Sequence, residues 1–357
     1  MWMTTDDDRG ALGVLFAILL GFGVLLGMGA IVIDVGFLYE ERAELQNGAD
    51  AGAIAVAQTC AGEPCLVNKS NYFANHNAKD GASTVDAVCG HDEGGVLPSC
   101  PAATGAMTDC PAKPAAGVKY VDVHTSTQTS GGGTLLPPMF ARSLVDNGSY
   151  EGSRVSACAR ARWGPPATAA NLMAMTISWC EWNQATSSGS NFGPEPPATP
   201  PLSVHRVLKL HTTGGTACPS GPAGSDGPGM FGWVDGTGCS VDITDNTYSA
   251  DTGVSAGSDC KTALAEAYSS RRKVFLPIYT KVTGTGTGGT YALAGFAGFV
   301  VTGYWLPGAS QKDWLTNKNE CKGPDKCVAG YFVEGLMPST GTIGGPDLGA
   351  RIVQLIG

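Results

Sequence analysis

The chain has 357 residues, a net charge of −9 and only 15% charged residues, with 51 glycines and 22 prolines. That length admits two modest domains, and the glycine and proline content favours turn-rich β-structure over a helical bundle. The acidic balance lacks the electrostatic footprint of a nucleic-acid binder, so no nucleic-acid partner is expected.

Residues 1–9 form a short tail with three aspartates and one arginine. Gly10 to Ile33, GALGVLFAILLGFGVLLGMGAIVI, is then 24 residues without a charge. As a helix it would measure about 36 Å, enough for a bilayer core, and it predicts a single transmembrane helix. The run is too long for a signal peptide and is followed by Asp34 and Val35, not by a small-residue cleavage site. A prepilin-type leader cut after Gly10 is also excluded, because the fifth residue beyond the cut is Leu15 where a glutamate is required. Ala17 and Gly21, and Gly23 and Gly27, are small residues four apart. Such pairs let a second helix come close, so this face is expected to pack on a partner helix or on a second copy.

Residues 34–60 predict a juxtamembrane helix that continues the span. Asp34 is expected at the interface, where its carboxylate reaches water. On a helix, Leu38, Leu45, Ala49, Gly52 and Val56 fall within about 60° of one another. Tyr39, Arg42, Gln46 and Asp50 run along one edge, with Gln46 in i,i+4 reach of both Arg42 and Asp50. The segment DVGFLYEERAELQNGADAGAIAVA resembles the amino-terminal signature of the tight-adherence (Tad) pilus-assembly family, the TadE/TadG-like membrane proteins. Asp34, Gly36, Leu38, Tyr39, Arg42, Leu45, Gln46, Ala49, Asp50, Ala51 and Ala53 match that pattern. Gly48 and Gly52 depart from it, and each loosens a helix by up to ~1 kcal/mol relative to alanine. The resemblance implies a rod helix that offers Leu38, Arg42, Leu45, Gln46, Ala49, Asp50, Gly52, Ala53 and Val56 to other pilus-assembly membrane proteins. It extends to residues 118–164, as a strand, a short Phe-Ala-Arg helix and a returning strand, and to later segments similar to the larger actinobacterial-type members. The DxSxS metal-adhesion motif of the von Willebrand-type domain in longer TadG-like proteins is missing.

All twelve cysteines lie beyond the apolar run, at 60, 65, 89, 100, 110, 158, 180, 218, 239, 260, 321 and 327. Without a CxxC pair among them they predict up to six disulfides in an oxidising compartment. Cys60–Cys65 and Cys321–Cys327 are the pairs suggested by proximity along the chain. The Lys/Arg balance across the apolar run is nearly tied. The cysteines therefore set the expected orientation, with residues 1–9 cytoplasmic and the long carboxy-terminal part extracytoplasmic.

Residues 61–163 are expected as a cysteine-rich loop region followed by a small sheet on the helix. Its strands are 118–126, β-branched and alternating, and 153–163, with Val155, Ala157, Ala159 and Ala161 on one face. CGHDEGG at 89–95 crowds Cys89, His91, Asp92 and Glu93 but is expected as a solvated, crosslinked loop without metal. Residues 164–202 are expected to connect, ending in the proline-rich linker SSGSNFGPEPPATPP. Residues 203–357 predict a β-rich domain interrupted by one helix, KTALAEAYSSR. In it, Pro277 marks an edge or a bulge. Tyr291 to Tyr304 is expected as a buried bulged strand, too short and glycine-broken for a second span. GTGTGG at 284–289 matches GxGxxG but precedes a strand, so it predicts a hairpin loop and not a dinucleotide site.

No Walker loop, GxSxG elbow or HExxH occurs. His205 and His211 are about 20 Å apart along a strand and cannot cooperate. No catalytic residue, metal or cofactor is expected. The expected fold class is α+β: one transmembrane helix continuing as a rod, then a disulfide-rich, mostly β extracytoplasmic region. The expected function is a non-catalytic, membrane-anchored component of pilus assembly or a related secretion apparatus. The alternative is a surface-anchored binding protein or adhesin with a β-rich, ligand-binding distal domain.

Overall fold

The computed structural model describes residues 8–21, 23–62, 64–101, 110–140, 151–210, 218, 229–251, 257–284, 289–338 and 340–356. The chain divides into two compact units. The first takes residues 1–60, 64–162 and 354–357, and the second residues 61–63 and 163–353.

In the first unit the apolar run forms two helices, α1 (Asp8–Gly21) and the start of α2 (Val24–Gly62). This corrects the expected unbroken helix over 10–33. Gly23 lies between them at φ +69°, in the left-handed region that a continuing right-handed helix does not use. Among the described residues no helix is long and apolar enough to cross a membrane. Beyond the break, α2 runs for 39 residues through Gly48 and Gly52. Its end is closed by the Cys60–Cys65 disulfide.

Two further elements follow, α3 (Lys69–Asn77) and β1 (Ser83–His91), in a region expected to be loop. The strands β2 (Lys119–Thr127) and β3 (Ser156–Gly164) are close to expectation. β1 pairs antiparallel with β2, and β3 lies on the other side of β2. Both faces of β2 are covered. On one, the Thr125 hydroxyl donates to the carbonyl of Leu45, and the Val123 side chain lies against Gly52. On the other, Asp122 meets Arg160 of β3, and His124 meets the sulfurs of Cys110 and Cys158. Strand periodicity then turns Ala157, Ala159 and Ala161, all buried, to the face opposite Cys158 and Arg160. The disulfides Cys89–Cys100 and Cys110–Cys158 tie the intervening segments to this sheet. At the far end of the chain, the N–H of Ile356 donates to the carbonyl of Arg160. The expected Phe-Ala-Arg helix starts at Phe140, and the rest of it falls outside the described residues.

The second unit is mostly β; its shorter strands include β4 (Ala169–Met173) and β8 (Ser240–Ile243), which pair antiparallel, and β12 (Ala309–Gln311). Strands β5 (Met175–Ser178), β7 (Phe231–Val234), β9 (Thr247–Asp251), β10 (Lys273–Thr283) and β11 (Thr290–Leu306) close a ring of pairings. The order is β10–β5–β7–β9–β11 and back to β10. β11 is long enough at 17 residues to leave the ring. There it pairs with β13 (Cys327–Val333), which in turn pairs with β6 (Arg206–Lys209). Closure leaves Pro277 off the edge, and a register shift one residue on, at Ile278/Tyr279, supplies the bulge. β10 and β11 form the hairpin around 284–289, with Thr283 opposite Thr290. The core is aromatic: Phe231, Tyr279, Phe296 and Phe299 are buried, and the rings of Tyr248 and Tyr291 stack at 5.4 Å. Two helices, α4 (Trp179–Ala185) and α5 (Ser258–Ser270), pack on this body. Disulfides Cys180–Cys218, Cys239–Cys260 and Cys321–Cys327 lie within it.

The proline-rich segment, expected as a linker, runs along this unit. The N–H of Gly193 donates to the carbonyl of Phe332 at 2.8 Å. A side chain at Gly193 would collide with the Tyr331 ring, so only glycine fits this approach.

Candidate functional site

The features that bear on function lie on α1 and α2. In the first stretch, apolar side chains face outward on every side. Leu12, Val14, Leu15, Phe16, Ile18 and Leu20 of α1 are each at least half exposed. Met28, Ile31, Val32, Ile33, Val35 and Phe37 of α2 are exposed as well. A helix that exposes apolar side chains all round needs an apolar medium or partner. Of the expected helix-packing residues, Ala17 and Gly21 are exposed, while Gly23 and Gly27 are half-buried. Gly23 sits in the break, and its carbonyl accepts the N–H of Gly27 at 2.7 Å, the bond that opens α2.

The expected partner stripe has a different fate. Leu45, Ala49, Gly52, Ala53 and Val56 are buried in the folded chain itself. Small residues are needed here because α3 lies against α2. A methyl group at Gly48 would meet the Cα of Ala74 at 3.1 Å, and one at Gly52 the Cα of Ser70 at 3.3 Å. The glycines that depart from the Tad pattern are therefore the contact through which α3 docks. Gln46 donates to Asp50 Oδ1 at 2.8 Å and to the carbonyl of Cys158 at 3.1 Å, joining the helix to β3. Leu38 is half-buried, and Arg42 is exposed.

Asp34 is not simply solvated. Its carboxylate accepts the backbone N–H of Met139 at 2.9 Å, and that of Phe140 at 3.1 and 3.2 Å. The segment so held belongs to a stretch without charge, GGGTLLPPMF at 131–140, whose apolar protrusion is the one signal the sequence offers for it. Further along α2, Lys79 pairs with Glu40 at 2.5 Å, and its N–H donates to Glu44 at 2.8 Å.

Two groups of side chains imitate metal sites: Cys110, His124 and Cys158, and Cys89, Cys100 and Asp122. All four cysteines are in disulfides and offer no thiolate, so neither group has the donors of a metal centre. Burial holds the His124 imidazole below its ordinary pKa. Asp122 forms a buried bidentate pair with Arg160, whose guanidinium also lies over the Tyr120 ring at 4.8 Å. In the loop expected to be solvated, His91, Glu93, Gly94 and Gly95 are exposed, but Asp92 is buried. Burial pushes its carboxyl up, but the N–H groups of Leu97, Val96 and Gly94 outweigh that and lower it.

In the second unit, His205 Nε2 lies 2.7 Å from Asp313 Oδ2, and the Thr302 hydroxyl donates to the same oxygen at 2.7 Å. The other carboxylate oxygen accepts the N–H groups of Leu315 and Thr316. This cluster braces a loop against β11, and sequence spacing gave no sign of it. His211 lies outside the described residues.

Among the described residues there are no free cysteines, so all twelve expected disulfide cysteines are paired, including Cys60–Cys65 and Cys321–Cys327. No curated protein and no solved structure matches the chain. Residues 10–59, which span the exposed apolar helices and the buried stripe, match the model of the Tad family, and the chain thus carries a TadE/G-like Flp pilus-assembly domain at its amino-terminal end.

Proposed function

We propose that the chain is a non-catalytic, membrane-anchored component of a tight-adherence (Flp) pilus-assembly or related secretion apparatus. Tad family proteins are membrane-associated and generally non-catalytic structural components of that machinery. The observation that carries the proposal is the Tad match over residues 10–59, coincident with helices that expose apolar side chains all round. Residues 10–33 act as the single anchor, α1 and the first turns of α2 together supplying the length that neither has alone. A glycine break within a span is tolerated where neighbouring helices or local adjustments satisfy the freed backbone. The six disulfides support an extracytoplasmic location for everything beyond the anchor, with residues 1–9 in the cytoplasm.

Docking to other assembly proteins falls to what the helices keep at the surface. Ala17, Gly21 and Gly27 pack against a partner helix or a second copy in the membrane, and Leu38 and Arg42 meet partners outside it. A strain lacking the chain is expected to lose surface pili and tight adherence, and full-length chain supplied in trans restores both. Normal pili in that strain, with only ligand binding lost, would transfer the function to an adhesin whose distal β-rich unit does the work.

A further inference from the structure

We infer that residues 136–140 form a lipid-contacting wedge beside α2, latched by Asp34 and seated in the membrane interface; this rests on the anchoring proposed above. The backbone of the wedge is prepared for a medium without water. The N–H of Leu136 donates to Ser153 O at 2.9 Å, and Ser153 returns the bond at 3.1 Å. Pro137 and Pro138 have no N–H to satisfy. The N–H groups of Met139 and Phe140 both go to the Asp34 carboxylate. No backbone donor between 136 and 140 therefore needs solvent. That condition suits hydrocarbon, where an unpaired N–H is costly.

The side chains fit the same medium. Met139 is 64% exposed and Phe140 45% exposed, and the sequence carries no charge from Thr125 to Phe140. Leu136, Pro137 and Pro138 line a groove together with Ile31, Asp34, Val35, Phe37 and Leu38 of α2. The exposed apolar residues of α2 at this level, Ile31, Val32, Ile33, Val35 and Phe37, spread over about 240° of the helix at ~100° per residue, leaving only the side of Asp34 and Leu38. A docked protein covers one face of a helix; an apolar surface that wraps most of it calls for a fluid. Tyr39, two residues further on, is 71% exposed, the residue type that marks the boundary with the headgroups. The partner is accordingly the acyl and headgroup boundary of a phospholipid surface. Asp34 is a positioning residue that lets an irregular segment sit there.

The test is photocrosslinking of the full chain in phospholipid nanodiscs, with a benzophenone side chain at Val32, Met139, Phe140 or, as a control, exposed Leu202. Lipid adducts read by mass spectrometry are expected at 32, 139 and 140, with only background at 202. Adducts at Val32 without any at 139 and 140 would overturn the wedge and leave the anchor standing. Crosslinks from 139 to a second copy in place of lipid would do the same. Absence of lipid adducts at Val32 would remove the anchor itself. Asp34→Ala is expected to lower the adduct yield at 139 about tenfold, the factor for one hydrogen bond to a charged acceptor, with the Val32 yield unchanged. Asp34→Asn, whose amide oxygen still accepts, recovers part of that yield. An unchanged yield at 139 in Asp34→Ala would overturn the latch.

Discussion

Gly48, Gly52 and Asp313 show how single positions take their meaning from what lies opposite them. Glycine is a poor helix former, and in isolation alanine at 48 or 52 would strengthen α2 by up to ~1 kcal/mol. Opposite these positions lie the backbone atoms of Ala74 and Ser70, which are not free to move aside as a side-chain tip would be. Gly48→Leu is therefore expected to destabilise the first unit by about 1–3 kcal/mol through overpacking. Gly36→Ala, where a methyl meets nothing within 4 Å, is expected to stabilise α2 by up to ~1 kcal/mol. Denaturant unfolding of both variants in the same detergent checks the contrast, and equal shifts would refute the packing explanation. At Asp313, burial acts to raise the carboxyl pKa, but hydrogen bonds from His205, Thr302 and the N–H of Thr316 outweigh it and hold it at about 2 against an ordinary 3.8. The folded form thus has the lower pKa. Its contribution, about 2 kcal/mol, is present above pH ~4 and disappears as pH falls through 2. Acid unfolding of the second unit should reveal it as a slope in that window that Asp313→Asn flattens.

At the scale of elements, α2 is where pattern reading and structure part company. The 3.6-residue stripe was legible, and so was the sheet it could lie on. What pattern alone did not reveal is that α3 and the chain's own sheet occupy the stripe. The residues that bury a helix internally and those that dock it on a partner are chemically the same, because both interfaces reward small and apolar side chains. Ala49→Glu is accordingly expected to place an unpaired charge in the core, at a cost of several kcal/mol. Limited proteolysis should then show residues 64–162 becoming protease-sensitive, while Arg42→Glu leaves them protected. A folded Ala49→Glu protein that only fails to bind partners would restore the stripe to its intermolecular role. β1 is not legible in the sequence although Val85, Ala87 and Cys89 alternate, because four cysteines with glycine and proline between 61 and 117 read as loop. The β10–β11 hairpin is legible, since long β-branched and aromatic runs around a glycine cluster leave no helical alternative.

For the molecule as a whole, the disulfides distribute evenly, three within each unit. Their contributions should not be equal. The Cys110–Cys158 link closes 48 residues of chain and Cys321–Cys327 only 6. On loop-closure entropy, removing the first pair as alanines should cost about 4 kcal/mol and the second about 2. Thermal unfolding of the two double variants checks the order, and a reversed order would mean that native contacts, not chain entropy, set the difference. Alkylation of the unreduced protein from cells should label none of the twelve thiols.

The sequence by itself determined the α+β class, the apolar amino-terminal stretch, the Tad signature and the oxidised state of the cysteines. These follow from periodicity, composition and parity, which are local or additive along the chain. Only the tertiary structure decided that the strands of the second unit close into a ring, that α3 covers the stripe of α2, and that Asp34 holds residues 139 and 140. Each of those joins residues far apart in the chain through a few hydrogen bonds or a close backbone approach. Such contacts leave no periodic trace, because one aspartate or one glycine is all that the chain needs to supply.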